Sequence, residues 1–448
     1  MAANTKNMFF EVRQGGRSVA ALHGTPGLRL FASTAVGPDR GMCVHNGVLY
    51  KVTGNSLYSI SSGGVSTSIG TITGTSQCGM VSDGNYLVIT TGGDAYTYNG
   101  TLAAISDTDL ETPNTVAYNN SRALYDGDDG RFCVADVGQP SVIDGLNYAT
   151  AEALPGECLA VFAHKQYAFV FCDDHYEPWY NSGVGSPPYD RVNGAVQNVG
   201  LGAIHSIAQN ENYLYFLDER LMPRRISGIS QQPIGNTSLS HEFADYSTAS
   251  DAKGFCFSWR NENFYVLTFP SADKTWMYQE SINEWLQLSS GQSDGRWRGN
   301  SFAACYGHSL VADYETGEVF YLDQEYYTDN GDLISRERTT QPLHGGIISG
   351  SYEGKTVFMS RLELVLEAGI GLATGQGVTP QVMLQWSDDG GFTWSNELWQ
   401  SAGVMGARYW RVQWFNLGAF TSRAYRFRAT DPVKWSWLAC NADIEVGI

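Results

Sequence analysis

The sequence predicts an all-β protein in which a β-propeller of five to seven blades precedes a C-terminal β-sandwich or jelly-roll-like domain. A loose repeat runs from near the N-terminus to about residue 325. Each copy joins a small-residue strand, a tight Asn/Gly/Asp turn, an aromatic-rich strand and a further short apolar run. Units of roughly 40 residues built from short antiparallel strands are typical of propeller blades. After the last copy, longer alternating strands indicate a second domain.

The repeat copies locate the predicted blades. The first two copies, residues 41–50 and 79–88, align closely around an Asn-Gly and an Asp-Gly turn. Four further copies share the aromatic second strand and cover residues 159–173, 202–218, 254–269 and 301–323. We therefore predict an N-terminal arm over residues 1–24, a propeller over residues 25–340 and a sandwich over residues 341–448. No long helix is expected.

The last quarter of the chain predicts the sandwich. Leu362, Leu364 and Leu366 recur with the period of two that is typical of a half-buried strand. Further strands are predicted at residues 382–386, 409–415, 424–429 and 435–438. Seven of the twelve tryptophans lie here, at positions 386, 394, 399, 410, 414, 435 and 437. They suit an aromatic core together with an aromatic contact face.

Charge is distributed unevenly along the 448 residues. The formal net charge is −18, and residues 341–448 contain eight Lys/Arg and nine Asp/Glu, a net of −1. Residues 1–340 therefore carry −17. Charged residues make up only 17% of the chain, below the roughly 25% typical of soluble domains. An acidic body disfavours ordinary binding to the DNA backbone, which depends on Lys and Arg neutralising phosphates.

Other features exclude several classes of protein. No run of 18 apolar residues occurs, so we expect no membrane insertion. The first residues lack the apolar stretch of a signal peptide, which predicts a protein that is not exported from the cytoplasm in which it is made. The eight cysteines are scattered singly and are expected to be buried, reduced thiols. No cofactor is predicted.

One motif in the predicted sandwich is a complete Asp box. Ser387, Asp389, Gly391, Thr393 and Trp394 match the pattern S-x-D-x-G-x-T-W. In such a box the Asp side chain bonds to turn amides, Gly permits a tight reversal and Trp packs against the hairpin. Sialidases carry several boxes, but the box lies away from their catalytic centre. We interpret it as a structural turn.

Two other motifs could carry chemistry, and each has a simpler interpretation. Residues 291–295 match the serine-hydrolase elbow G-x-S-x-G with Ser293 as the nucleophile, but no helix start follows, as the motif requires. A short stretch with side chains that can bind metals comprises Cys172, Asp173, Asp174 and His175, together with Glu177. They lie where a strand ends, without a second His or Cys cluster nearby. We favour an inter-strand loop for residues 291–295 and an acidic turn at the strand end for the second motif. No catalytic or metal site is therefore predicted.

Five arginines cluster on two predicted C-terminal strands. Arg426 and Arg428 share one strand face, and Tyr425 and Phe427 share the other. The cluster is either a solvated strand face or a docking interface for an acidic partner. The candidate interface consists of Arg408, Arg411, Arg423, Arg426 and Arg428.

Four stretches of the chain carry a resemblance to a known family. They combine small and apolar residues and comprise residues 26–28 with 40–50 and 54–58, residues 182–204, residues 254–267 with 283–285, and residues 362–367, 385–391, 408–414 and 423–427. In these patterns the chain resembles the packaged-DNA stabilisation proteins, also called tail hub or head-completion proteins, of short-tailed bacteriophages. The stretches span most of the chain, whereas residues before Thr25 depart from the family's pattern.

The resemblance implies a non-enzymatic virion component at the head–tail junction, assembled in the host bacterial cytoplasm. Such proteins look like ring-forming hubs or nozzles, commonly of six copies, that close the filled head below the portal and its adaptor. The implied partners are other copies of the chain, the head–tail adaptor, and tail needle or tail spike and fibre proteins. Double-stranded DNA would pass through the channel without sequence-specific binding, and an acidic wall suits that passage.

Two other functions remain open from the sequence. The Asp box and the aromatic residues are compatible with a glycan-binding or glycan-cleaving propeller. A sialidase would also need an arginine triad spread over several blades and a Tyr/Glu pair. A fibre-like receptor-binding protein is the third hypothesis, and trimeric symmetry would distinguish it from a hub.

Overall fold

The computed structural model describes residues 4–12, 20–127, 130–292, 294–348 and 350–447. These residues form two compact units. The propeller unit comprises Leu30–Asn283 and Arg296–Leu322. The sandwich unit comprises Met1–Arg29, Glu284–Gly295 and Asp323–Ile448. Strands dominate both units, which confirms the predicted all-β class.

Four strands open the chain, and five four-stranded antiparallel sheets follow them in sequence order. The opening strands are β1 (Asn4–Lys6), β2 (Met8–Val12), β3 (Ala20–Gly24) and β4 (Gly27–Ser33). The strands of the five sheets are β5 (Asp39–His45), β6 (Val48–Thr53), β7 (Ser56–Ile60), β8 (Ser66–Thr71), β9 (Gly79–Ser82), β10 (Leu87–Thr90), β11 (Ala95–Tyr98), β12 (Leu102–Ala104), β13 (Val116–Asn119), β14 (Arg122–Asp126), β15 (Arg131–Asp136), β16 (Gln139–Thr150), β17 (Cys158–His164), β18 (Tyr167–Cys172), β19 (Tyr176–Asn181), β20 (Tyr189–Arg191), β21 (Ala208–Gln209), β22 (Leu214–Leu217), β23 (Pro223–Ser227) and β24 (Ser230–Pro233).

Two further sheets complete the propeller unit after a short helix, α1 (Thr237–Ala244). Their strands are β25 (Lys253–Trp259), β26 (Glu262–Phe269) and β27 (Lys274–Gln279), then β29 (Gly299–Cys305), β30 (His308–Asp313) and β31 (Glu318–Asp323). Between them in sequence comes β28 (Glu284–Leu288) of the sandwich unit. The end of β4 lies beside β31. The described part of the chain thus has seven propeller sheets, the upper end of the predicted five to seven.

Tight turns and aromatic packing explain these blades. The turn between β5 and β6 uses Asn46 and Gly47 at φ values of 50° and 75°, the left-handed conformation that two-residue hairpins require. Buried side chains fill the space between neighbouring sheets, as where Phe171 packs against Phe216 with ring centroids 5.2 Å apart. The ring of sheets closes between β29 and β5, where Ser301 Oγ donates a hydrogen bond to Asp39 Oδ2 at 2.7 Å.

The remaining strands form the sandwich unit. They are β32 (Thr328–Asp329), β33 (Asp332–Leu333), β34 (Arg336–Thr339), β35 (Leu343–His344), β36 (Val357–Leu366), β37 (Gln381–Ser387), β38 (Leu398–Ser401), β39 (Val412–Phe420), β40 (Ser422–Ala429) and β41 (Ser436–Val446). A four-residue helix, α2 (Gly345–Ile348), follows β35. One sheet has the order β28-β1-β34-β40-β37-β38 and the other β2-β3-β41-β36-β39. Their facing sides bury a core that includes Trp414, Phe427, Trp435 and Trp437.

The N-terminal strands are part of the sandwich unit. β1 pairs with β34, and β3 pairs with β41, so the N-terminal strands belong to both sheets of the sandwich. Met8 of β2 is fully buried in the sandwich core. Asn7 lies between β1 and β2. Its side chain donates a hydrogen bond to the Ser335 carbonyl at 2.8 Å and accepts one from the Ser289 amide at 2.9 Å. The sequence predicted only an arm over residues 1–24.

Candidate functional site

The Asp-box residues form one hydrogen-bonded turn directly after β37. Asp389 accepts hydrogen bonds from the Thr393 hydroxyl at 2.6 Å and from the Thr393 amide at 2.9 Å. The Ser387 hydroxyl donates to Asp389 at 2.7 Å and accepts from the Gly391 amide at 2.8 Å. These hydrogen bonds, with that of the Thr393 hydroxyl largest, hold the pKa of Asp389 far below its ordinary value. The polar groups of the box therefore serve the turn itself.

Trp394, the last residue of the box, is half-buried and lies against Arg426. The Arg426 guanidinium carbon is 4.1 Å from the centre of the Trp394 ring, a cation–π geometry. Arg426 Nε also donates to Gln385 Oε1 at 3.1 Å. The box is thereby connected to the outer face of the sheet formed by β37 and β40.

Arg423 lies on the opposite face of β40 and is buried. Its guanidinium donates twice to Asp388, at 2.6 and 2.7 Å, and once to the Leu417 carbonyl at 2.5 Å. The same guanidinium stacks over the ring of Phe420, 4.6 Å from its centre. Because Asp388 lies inside the Asp box, this ion pair attaches the box to β40.

Arg428 lies beside Arg426 on the outer face of β40, as predicted. Its guanidinium is 3.6 Å from Glu397, and Glu337 of the neighbouring strand β34 is directly opposite it in register. Burial raises the pKa of Glu337, while Arg426, Lys6 and Arg428 oppose that rise in this order. This part of the face is consequently a mixed-charge cluster.

The two remaining candidate arginines lie outside β40. Arg411 makes a bidentate ion pair with Glu363 of β36, with both N–O distances at 2.7 Å. Arg408 lies in the exposed loop that connects β38 to β39. The predicted strand over residues 409–415 starts only at Val412, because Trp410 instead folds back and donates to the Ser401 carbonyl at 2.7 Å.

Exposed apolar side chains lie on β38 and in the loop that contains Arg408. We define the docking edge as strand β38, the end of its sheet, together with the loop of residues 403–411. Trp399 is 55% exposed, Tyr409 is 99% exposed, and Met405 and Trp410 are about half exposed. Exposed aromatic and Met side chains beside the edge strand of a sheet are typical of protein-contact surfaces. The concentration of tryptophans predicted an aromatic contact face, but the strand β38 was not predicted.

The propeller unit contains a cavity where the first strands of several blades meet. Its volume is about 450 Å³. It is lined by residues of β5, β9, β21, β25 and β29, together with Gln77, Cys78 and His205. Lys253 at the start of β25 also lines it. No sequence motif pointed to this cavity, because its wall is assembled from five separate blades.

Two blade motifs could carry chemistry, the G-x-S-x-G motif and the stretch around Cys172 and His175. Their described residues have structural roles. Ser293 of the G-x-S-x-G motif lies outside the described residues. Burial raises the pKa of the Cys172 thiol to about 12, so it is not a thiolate at neutral pH. His175 pairs with Asp174 at 2.6 Å. Over the described ranges, no group of three or more His, Cys, Asp or Glu side chains has a metal-binding arrangement.

Several blade arginines are paired with acidic residues of their own blade. Arg224 bonds to Asp218, and Arg298 lies 2.6 Å from Asp313. Arg191 lies 3.4 Å from Glu177. These guanidinium groups are already engaged within their blades.

No described helix is long and apolar enough to cross a membrane.

Two solved propeller structures are among those similar to part of the chain. The WD40 domain of Neurospora crassa Pan2 is 8% identical with a TM-score of 0.45, and the alignment covers 66% of this chain and 96% of that chain. The WD40 propeller of Doa1 is 10% identical with a TM-score of 0.43, and the alignment covers 66% and 97%. No curated protein sequence matches the chain.

Two family models match successive parts of the sequence. The model described as the β-propeller of bacteriophage P22 Gp10 matches residues 2–327. The model described as the β-sandwich of the same protein matches residues 351–445. Together they cover most of the chain, in the order that the fold requires. The chain therefore belongs to the bacteriophage P22 Gp10 family, a family of phage structural proteins.

Proposed function

We propose that this phage structural protein is a ring-forming tail hub at the head–tail junction. In this role it closes the DNA-filled head below the portal and its adaptor, stabilises the packaged DNA and forms part of the ejection channel. Six copies form the ring, and the ring seats the tail needle and the tailspikes or fibres. The proposal includes no catalytic step and no cofactor. Membership of the P22 Gp10 family supports it.

The docking edge is the observation that carries the proposal of protein contacts. A ring needs a heterologous interface on every subunit, and a hub needs further seats for tail proteins. The docking edge offers exposed aromatic side chains with Arg408 among them, a composition found in interface hot spots. Four of the candidate arginines have partners within the chain, namely Arg411, Arg423, Arg426 and Arg428. We therefore assign them a structural role in the sandwich surface.

Substitutions on the docking edge test this assignment. The double variant Trp399→Ser/Tyr409→Ser should remain folded, because both side chains are exposed, yet it should fail to complete particles. The measurement is an infection by a phage that lacks this gene, complemented with the variant, in which filled and empty heads are counted. Phe358→Ser removes a comparably exposed aromatic side chain of β36 and serves as the matched control. Normal numbers of filled, infectious particles from the double variant would remove the docking edge from the interface.

A glycan-binding or receptor-binding role is the alternative, and the Asp box and the aromatic residues motivated it. The internal hydrogen bonds of the box and the ion pairs of Arg191, Arg224 and Arg298 favour structural roles for these residues. Purified protein should hydrolyse neither sialosides nor esters. Turnover that disappears in Ser293→Ala would revive the enzyme hypothesis.

A further inference from the structure

The cavity where the first strands of the blades meet, here called the axial cavity, is lined by a lysine that forms no direct ion pair among the described residues. Lys253 lines the cavity, and within the described part of the chain its ammonium group makes no hydrogen bond and no ion pair. Burial is the main cause that lowers the pKa of Lys253, and Asp39 opposes this only in part. A partly buried ammonium group without a partner is costly, because low-dielectric surroundings disfavour the charged form.

Two carboxylates, Asp39 and Asp251, lie near Lys253 and act on it electrostatically, and each accepts hydrogen bonds from other groups. Asp39 Oδ2 accepts from Ser301 Oγ at 2.7 Å and from Asn300 Nδ2 at 3.0 Å, and its Oδ1 lies 3.8 Å from the buried Lys51 Nζ. Asp251 Oδ2 accepts from the Ser271 amide at 2.7 Å. One oxygen of each acid is thus held by other groups of the chain, and neither carboxylate pairs directly with the Lys253 ammonium group, which is left to face the cavity.

Further polar groups in the cavity wall complement this charge. Asn300 is only 4% exposed, and its Oδ1 has no hydrogen-bond partner among the described residues. Burial, followed by Lys253, lowers the pKa of His205 to about 4, so the imidazole is neutral at pH 7 and can donate one hydrogen bond. A buried polar atom without a partner is uncommon in proteins and calls for an explanation such as a ligand.

Other wall residues of the cavity are apolar. Phe255 and Phe302 lie nearly parallel to each other with ring centroids 6.2 Å apart, and Met42 and Met80 also line the cavity. The cavity volume of about 450 Å³ falls within the range of roughly 300–1,000 Å³ typical of small-molecule sites. Burial raises the pKa of Cys78 to about 12, which leaves this wall residue as a neutral thiol.

From this arrangement we propose that the axial cavity binds a small oxyanion, a carboxylate or phosphate group that pairs with Lys253. His205 donates a hydrogen bond to the same ligand, and Asn300 Oδ1 accepts one from a hydroxyl or amide group of it. Any apolar part of the ligand lies against Phe255 and Met80. The site is separate from the docking edge, so it is independent of the proposed contacts with tail proteins.

Titration calorimetry and thermal unfolding of the full-length protein test the proposal. Acetate, benzoate and inorganic phosphate are the probes, and at least one should bind and raise the melting temperature. Lys253→Met keeps the length of the side chain and removes the charge, so it should weaken binding by about tenfold or more. Lys355→Met removes the same charge from an exposed position of the sandwich unit and should bind as the wild type does.

A second measurement needs no variant. Acylation of lysines in the wild-type protein, quantified by peptide mass spectrometry, should be slowed at Lys253 by the bound probe and unchanged at Lys355. Binding of none of the three probes would overturn the proposal. So would binding with equal affinity to wild type and Lys253→Met, or acylation of Lys253 that proceeds at the same rate with and without probe.

Discussion

At the scale of single residues, the polar groups of the sandwich surface serve its turns and strands. Among the described residues, Asp389 accepts hydrogen bonds only from its own turn, and Arg423 connects that turn to β40 through Asp388. The sequence predicted the Asp-box turn, because the spacing of its residues encodes local hydrogen bonds. It could not predict that Arg423 is buried and Arg408 exposed, since that difference depends on how the strands pack.

Removing the charge of Asp389 should destabilise the sandwich in a pH-dependent way. Asp389→Asn loses the acceptor charge that holds Thr393, so the variant should unfold at a lower urea concentration than the wild type at pH 7. Since the folded-state pKa is depressed, this stabilisation is fully present above the unfolded-state pKa of about 4. It is lost as pH falls towards the folded-state pKa, so the gap between wild type and variant should narrow only below about pH 4.

Urea unfolding between pH 3 and pH 7 provides the measurement. Glu445→Gln, which changes an exposed carboxylate of β41, should behave like the wild type throughout. A gap between wild type and Asp389→Asn that already closes between pH 7 and pH 5 would contradict the hydrogen-bonded carboxylate.

Removing the buried guanidinium of Arg423 should lower the free energy of unfolding more than removing the exposed guanidinium of Arg411. Arg423→Met leaves the Leu417 carbonyl and Asp388 without their donor, which should lower the free energy of unfolding by about 1–3 kcal/mol. Arg411→Met breaks an equally short ion pair whose guanidinium is exposed, and Glu363 keeps Arg361 at 3.6 Å, so the effect should be much smaller. Equal losses for the two variants in denaturant titrations would refute the buried role of Arg423.

At the scale of strands, the structure differs from the sequence expectation mainly at the chain ends. Hairpin turns and aromatic strands made most blades recognisable, because their pattern is local. The pairing of β1 with β34 and of β3 with β41 joins residues more than 300 positions apart. No local period marks such pairs, so the sequence indicated only an arm. The blade of β13 to β16 was also missed among the repeat copies, although its strands follow the same order.

The N-terminal strand β2 should therefore contribute directly to sandwich stability. Met8→Ala removes a fully buried side chain from the core and should lower the free energy of unfolding by about 2–5 kcal/mol. Val12→Ala, at the half-exposed end of the same strand, should change it by less than about 0.5 kcal/mol. A Met8→Ala variant as stable as the wild type in urea would show that β2 does not hold the core.

At the scale of the whole molecule, nearly all of the net negative charge lies in the first part of the sequence. Residues 1–340 carry −17 and residues 341–448 carry −1. Binding to duplex DNA depends on counter-ion release by cationic groups, and this excess of negative charge opposes it. We therefore expect no measurable duplex binding at moderate salt in a fluorescence-anisotropy titration. Tight, salt-sensitive binding would count against a channel through which DNA slides.

The central claim is that the protein forms a ring at the head–tail junction, and cryo-electron microscopy of intact particles tests it most directly. The reconstruction should place six copies of the seven-bladed propeller around the axis below the portal and its adaptor. Particles made without the protein should lose that ring together with their packaged DNA. Propeller density in groups of three at the ends of fibres, or filled and stable heads in the absence of the protein, would contradict the account.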